Sequence, residues 1–302
     1  MFDDDVWLNR CLILIVLLIV IVLYRKLYPN QKEYFSQISP FVLKQDNDIY
    51  DSFYLEYYDD LHASESYAED DFRVIMETTN PTETSVFLDI GCGTGFLLKT
   101  IEDNEFFAFG VDKSKSMKEK CMGRLKHTDV FCNDVLAEPM LYDNNTFTHI
   151  TCTHFTIYEM EKKETLLRHC YSWLQEGGYF IVHVVDPDTY KKVLPSLNTE
   201  DNHHMTNVMN TFLEYNDYTY RGEYKEHMFT ETFTDKYTEH VRQNQKKLFM
   251  MESKEMIIEL AKKCGFRVHR ETSYSRDPHQ YLVIFKKGGD SPYDPLFKVS
   301  PF

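Results

Sequence analysis

Basic residues are scarce in this 302-residue chain: 33 Lys and Arg stand against 48 Asp and Glu, a net charge of −15 at pH 7. A nucleic-acid backbone is therefore disfavoured as the main partner, because holding it takes clustered cations that release its counterions. Paired cysteines are lacking too. The seven cysteines are odd in number, scattered, and include no Cys-x-x-Cys spacing. That pattern argues against a disulfide framework or a zinc site and fits core thiols in a reducing compartment. His203-His204 has no further ligands at metal-binding spacing. No internal repeat, P-loop, Ser-His-Asp series or persuasive pair of catalytic carboxylates is present. The length leaves room for one large α/β domain with an appendage.

Long apolar runs are missing as well, with one exception. Cys11 to Tyr24 is an unbroken run of 14 residues, and extended back to Val6, across Asn9 and Arg10 at its outer end, it covers 19. As a helix that is roughly 28 Å, enough to cross a hydrocarbon core. Residues 6–26 are expected to be a single transmembrane anchor. A cleaved signal peptide would begin with basic residues, whereas Asp3-Asp4-Asp5 open this chain and Arg25, Lys26 and Lys32 follow the run. A buried core helix is the other alternative. The basic flank places the remainder of the chain in the cytosol under the positive-inside rule. Residues 27–48, with Pro29 and Pro40, read as a juxtamembrane linker, 49–287 as the main domain, and 288–302 as a tail.

The main domain is organised around Val86 to Leu98, an apolar run ending on Asp89 and followed by Gly91, Gly93 and Gly95 before apolar residues resume. This is the pattern of a buried strand, a tight turn and the first turns of a helix. Glycine lets such a turn lay its amides flat against a ligand at a helix N-terminus. The continuation strengthens the reading. Phe106 to Asp112 is a second strand ending in an acid 23 residues after Asp89, close to the offset expected of a ribose-binding carboxylate. Thr128 to Cys132 is a third strand, followed by Asn133-Asp134. A dinucleotide fold would want a small residue where Phe96 stands.

At these residues the chain resembles the class I S-adenosylmethionine-dependent methyltransferases, from about Tyr50 to Lys287. The resemblance implies an α/β, Rossmann-like, doubly wound seven-stranded sheet with an antiparallel last hairpin. It implies S-adenosyl-L-methionine as cofactor. Asp89, Gly91, Gly93 and Gly95 would surround its methionine half, Asp112 would accept from both ribose hydroxyls, and Asp134 would meet the adenine amino group beside Val135. For any one of these acids alone, a solvated strand-end or cap Asp is the plainer reading.

The other segments follow the same pattern. Ile49 to Leu61 has the spacing of an amphipathic helix; a tyrosine-bearing helix here closes over the cofactor in related enzymes, which makes Tyr58, with Tyr50 and Tyr57, candidates. Ala68 to Glu77 is a further helix. Phe147 to Thr153 is a fourth strand, and the crevice beyond its carboxyl end is where an acceptor belongs. His154 there is a candidate general base, since a neutral imidazole can take a proton near pH 7; equally it shapes the pocket or caps a helix. The family's Asn/Asp-Pro-Pro-aromatic motif of DNA-amine and protein-glutamine enzymes is replaced by Thr153-His154-Phe155-Thr156. Thr165 to Leu174 is a helix, Gln175 to Gly178 a helix stop, and Tyr179 to Val185 a fifth strand.

Residues 188–250 break the βαβ rhythm, and their alternation around 223–233 suggests antiparallel strands. This insertion is either a substrate lid or a plain β-extension. A helix from Met256 to Cys264 and strands at 266–272 and 280–286 finish the domain. The resulting expectation is a membrane-tethered methyltransferase acting on a small-molecule, lipid or protein acceptor. The rivals are a non-catalytic scaffold that keeps the fold and a nicotinamide-dependent oxidoreductase.

Overall fold

The strand Val86–Ile90 (β2) carries four buried residues in succession, a pattern that only a strand covered on both faces can satisfy. In the computed structural model, which describes residues 13–17, 39–62, 64–187, 211–249, 251–274 and 277–288, it is a central strand of a seven-stranded sheet. Its neighbours are Phe107–Asp112 (β3) and Phe147–Cys152 (β5), both parallel to it. Asp129–Cys132 (β4) pairs with β3, and Leu174–Val185 (β6) pairs with β5. Asp277–Lys287 (β12) runs antiparallel to β6, and Phe266–Tyr274 (β11) closes the sheet against β12. The order β11-β12-β6-β5-β2-β3-β4 reverses direction between β2 and β5. A crevice forms beyond the carboxyl ends of the strands at such a reversal.

Helices cover both faces. Ser64–Thr79 (α2) and Phe96–Asp103 (α3) pack on one face around Phe87, Leu98, Ile101 and Ile284. Lys163–Trp173 (α5) and Lys254–Lys263 (α6) pack on the other around Leu88, Ile150, Phe180 and Phe285. Lys115–Arg124 (α4) links β3 to β4 and begins at Ser114, whose hydroxyl accepts from the Met117 amide. The expected doubly wound sheet with its antiparallel last hairpin is therefore present.

A second sheet has five strands among the described residues. Thr211–Glu214 (β7), Tyr218–Lys225 (β8), Met228–Asp235 (β9) and Val241–Lys247 (β10) form an antiparallel series from the insertion. The hairpin between β8 and β9 turns on Glu226 and His227, both at positive φ. The fifth strand, Phe41–Gln45 (β1), comes from the expected linker and pairs parallel with β10, Phe41 opposite Val241. That corrects the 27–48 linker: its last part is sheet, with Phe41 and Leu43 exposed. The inner face of this sheet packs on Ser52–His62 (α1), with Phe53 against Phe233 at 5.4 Å and Tyr57 against Tyr218 at 4.8 Å between ring centroids.

Two boundaries also move. α2 begins at Ser64 and ends at Thr79, longer than the expected 68–77. The helix stop at Gln175 to Gly178 is instead the start of β6, because Leu174 already pairs with Phe147. Gly177, at φ +78°, lies in the register shift that follows rather than at a helix end. The expected anchor at 6–26 lies outside the described residues except for 13–17, a helical piece with exposed side chains. Among the described residues no helix is long and apolar enough to cross a membrane. Residues 188–210, with His203-His204, and 289–302 of the tail also lie outside them.

Candidate active site

The loops after β2 and β5 meet at the reversal point and touch. A Cβ on Gly91, at φ +67°, would collide with the Thr156 Cγ2, so that contact itself demands glycine. Gly95, at φ +85°, caps α3, and a Cβ there would strike Cys121. Gly93 differs. Its φ is +53°, but a Cβ there would meet only the Gly91 carbonyl and the Tyr58 hydroxyl, each 4.0 Å away. Its bare backbone therefore opens onto space.

That space is two adjoining cavities. The larger, of about 240 Å³, runs over β2, β3 and β4 and is lined by Gly91, Gly93, Asp112, Met117, Asp134 and Val135, and across from them by Tyr50, Tyr58, His154, Thr156, Glu159 and Phe249. The smaller is lined by Asp89, the glycine turn through Leu97, Ser64 and Ala68 of α2, and Thr153. Tyr58, Gly91, Gly93 and His154 line both, and so mark where the two meet.

The acids at the strand ends have different surroundings. Asp112 accepts the Gly93 amide on one oxygen (3.0 Å) and the Ser114 amide on the other (2.8 Å). Burial raises its carboxyl above the usual range, and the two amides work against that shift. Each oxygen keeps a lone pair for a further donor. Asp134 is exposed and accepts the Leu136 amide, while Val135 beside it is buried. Asp89 is buried and accepts the Thr151 hydroxyl at 2.6 Å. Asp89 and Gly95 line the smaller cavity and not the larger.

Burial pushes the Asp89 carboxyl up to about 7, with the Thr151 hydroxyl opposing and Asp112 adding to the rise. The folded chain thus holds a proton that the unfolded chain releases near 3.9. The stability this contributes is complete below the unfolded value and is lost as pH rises through about 7. The ligand-free protein is expected to melt a few degrees higher at pH 6 than at pH 8, and Asp89→Asn to flatten that slope. Melting curves followed by circular dichroism at the two pH values check this.

His154 and Phe155 are consecutive residues at positive φ, +50° and +64°. Two such residues in a row cost conformational energy, and that kind of strain clusters at functional sites. Here it swings the chain so that Thr156 reaches Gly91, while the His154 ring sits edge-on to Tyr67 at 5.0 Å.

Several contributors gave no signal in the sequence. Asp59 of α1 accepts the Thr94 hydroxyl at 2.5 Å and pairs with Arg124, whose guanidinium also donates to the Thr94 carbonyl. This clamps α1 onto the glycine turn. Glu159 accepts from Tyr50 and pairs with Lys246 of β10 at 3.1 Å. Burial disfavours the Lys246 charge, but Glu159, Tyr58 and Glu231 outweigh it and raise the lysine above its ordinary value. Phe249, just past β10, reaches the larger cavity and its amide donates to the Tyr158 carbonyl at 2.9 Å. Of the tyrosine candidates, Tyr50 and Tyr58 line the cavity, whereas Tyr57 packs on Tyr218.

Residues 87–178 match a protein family described as a methyltransferase domain. An uncharacterized methyltransferase of Alkaliphilus oremlandii is 26% identical over 129 residues, 42% of this chain and 58% of that protein. One from Anoxybacillus flavithermus is 26% identical over 114 residues, 37% of this chain and 52% of that protein. The chain thus spans a little over half the length of these relatives. Among solved structures, a S-adenosylmethionine-dependent methyltransferase from Clostridium acetobutylicum superposes with a TM-score of 0.57 at 18% identity, over 78% of this chain and 98% of that one. SAM-bound CalS10 of Micromonospora echinaspora, an amino pentose methyltransferase, gives 0.53 at 15% identity, over 79% and 98%. These likenesses show the fold. CalS10 holds S-adenosyl-L-methionine; in this chain the open backbone at Gly93 and the spare acceptor capacity of Asp112 leave room and acceptors for a ribose-bearing ligand.

Proposed function

We propose that the protein is an S-adenosylmethionine-dependent methyltransferase acting on a small-molecule acceptor. The observation that carries this reading is the pair of cavities meeting at Gly91, Gly93, Tyr58 and His154. Asp112 would hold the ribose, Asp134 and Val135 the adenine end, and Asp89 with the glycine turn the methionine end. When bound, the cofactor supplies a methyl group activated by a sulfonium. The chain's own contribution is placement. Tyr58 and His154 wall the junction, Tyr50 and Phe249 narrow the approach, and proximity supplies much of the rate. His154 would take the acceptor's proton where the acceptor does not lose it beforehand.

The test is calorimetric titration of the folded protein with S-adenosyl-L-methionine and, separately, NADH, followed by turnover against amine, phenol and carboxylic acid panels. Saturable binding of the first alone, with turnover, supports the enzyme. Binding without turnover on any panel favours the scaffold, and binding of NADH alone overturns the reading. His154→Ala is expected to cut turnover about a hundredfold for acceptors that must lose a proton. An unchanged pH–rate profile would remove His154 as base.

The apolar run ending at Tyr24 and its basic flank support a single-pass membrane tether over 6–26, with this domain on the cytosolic side. Alkaline extraction of membranes together with protease protection tests that placement.

A further inference from the structure

One buried acid is left without a task by this reading. Asp71 stands on the core-facing side of α2 with Tyr67, Ala68, Phe72 and Ile75, a face whose spacing calls for apolar residues. Its carboxyl is fully buried. One oxygen accepts the Tyr274 hydroxyl, and the other has no hydrogen-bond partner. The charges acting on it are the acids Asp70 and Asp89, and the Thr153 hydroxyl faces it. A buried carboxylate without a cation costs free energy, and such violations of core pattern collect at functional sites.

Its position suggests where the cation comes from. Ala68, one turn earlier on α2, and Thr153 both line the smaller cavity, so Asp71 stands directly behind that cavity's wall. Thr153 leads into His154, which lies where the two cavities meet. We propose that Asp71 is the counter-charge for the cofactor's sulfonium, a specificity residue that makes the site hold the cationic cofactor more tightly than its neutral-sulfur product, S-adenosylhomocysteine. This rests on the cofactor reading above. Charge–charge attraction falls only as the inverse of distance and is little screened in a buried site, so it acts through one layer of side chains. Hydrogen bonds to ribose, adenine and the amino-acid end are common to cofactor and product and cancel in the comparison. Only the sulfur differs in charge.

Burial pushes the Asp71 carboxyl up to about 7, with the Tyr274 hydrogen bond opposing. The preference for the cationic cofactor should therefore be full at pH 8 and fade towards pH 6. The groups acting on Asp71 are Asp70 on its own helix, Asp89 from β2, Thr153 after β5 and Tyr274 from β11; beyond them, His154 packs on Tyr67, and His183 of β6 packs on Tyr67 and Tyr274. Burial holds His183 down to about 3, so it stays neutral throughout this range.

The experiment is calorimetric titration of the full chain with S-adenosylmethionine and with S-adenosylhomocysteine at pH 8 and pH 6. Asp71→Asn is expected to weaken S-adenosylmethionine about tenfold at pH 8 and S-adenosylhomocysteine by less than twofold. Equal weakening of both, or an unchanged ratio, overturns the proposal. In the native protein the ratio should fall between pH 8 and pH 6, and a flat ratio overturns it as well. Tyr274→Phe keeps the carboxyl but removes its donor, so its ratio should fall at higher pH than in the native protein. Asp89 is raised to about 7 as well, so the shift in Tyr274→Phe, whose hydroxyl is bonded to Asp71, carries the test if Asp71→Asn does not fold, and no shift overturns the proposal. A native protein that binds neither compound fails the cofactor reading itself, and the inference with it.

Discussion

Replacing Asp112 by alanine is expected to lower the affinity for S-adenosyl-L-methionine at least a hundredfold. The carboxylate would accept both ribose hydroxyls, and hydrogen bonds to a charged acceptor are each worth about 1.5–3 kcal/mol. Two such bonds exceed a factor of a hundred, since each 1.4 kcal/mol is tenfold. The substitution also removes the acceptor that holds the Gly93 and Ser114 amides. Gly93 then loses the bond that fixes it at positive φ, and the turn the ligand must lie against is no longer preformed. Asp112→Asn separates the two effects, because it keeps one oxygen as acceptor while losing the charge. Calorimetry on both variants measures this, with melting curves to confirm that each is folded. Native affinity in Asp112→Ala would remove the residue from the site.

The largest expected loss of stability comes from Arg242→Leu. This arginine on β10 is buried, its side chain only 3% exposed. Its guanidinium donates to both Asp51 oxygens at 2.8 and 2.9 Å, to the Ile49 carbonyl at 2.9 Å and to Asn244 at 2.8 Å. It also lies 4.8 Å from the centre of the Phe53 ring. One side chain thus joins the second sheet to the start of α1. Removing one partner of a buried pair costs about 3–5 kcal/mol because the other is left uncompensated. Asp51 is a third exposed, so the lower end, about 3 kcal/mol, is expected. Urea unfolding should show that loss as a shifted midpoint. Because α1 also carries Tyr58 and Asp59, cofactor affinity should fall together with stability.

The central sheet was legible because its signals are local. A strand buried on both faces is a short apolar run, and the acids Asp89, Asp112 and Asp134 fall where those runs end. The glycine turn announced itself, though the sequence could not say that Gly91 and Gly95 answer to Thr156 and Cys121 while Gly93 answers to open space. What depends on distant partners was illegible. Phe41–Gln45 has no core pattern, since its pairing is set by residues of β10. Phe249 and Glu159 reach the cavity through the packing of the insertion against the loop after β5, which spacing does not encode. The turn at Glu226 and His227 uses residues that seldom adopt positive φ, so nothing marked it as tight. The spacing of apolar residues along α2 says which of its faces is buried, yet not that Asp71 will lie on that face without a cation.

The pairing of Phe41 with Val241 has a consequence for biosynthesis. On the ribosome, β1 is made about two hundred residues before its partner, and at 5–20 residues per second it waits roughly 10–40 s for it. During that interval an apolar stretch with open backbone groups leaves the exit tunnel unpaired. Chaperone binding, or slow late docking of the N-terminal strand, is the expected companion of this topology in the cell.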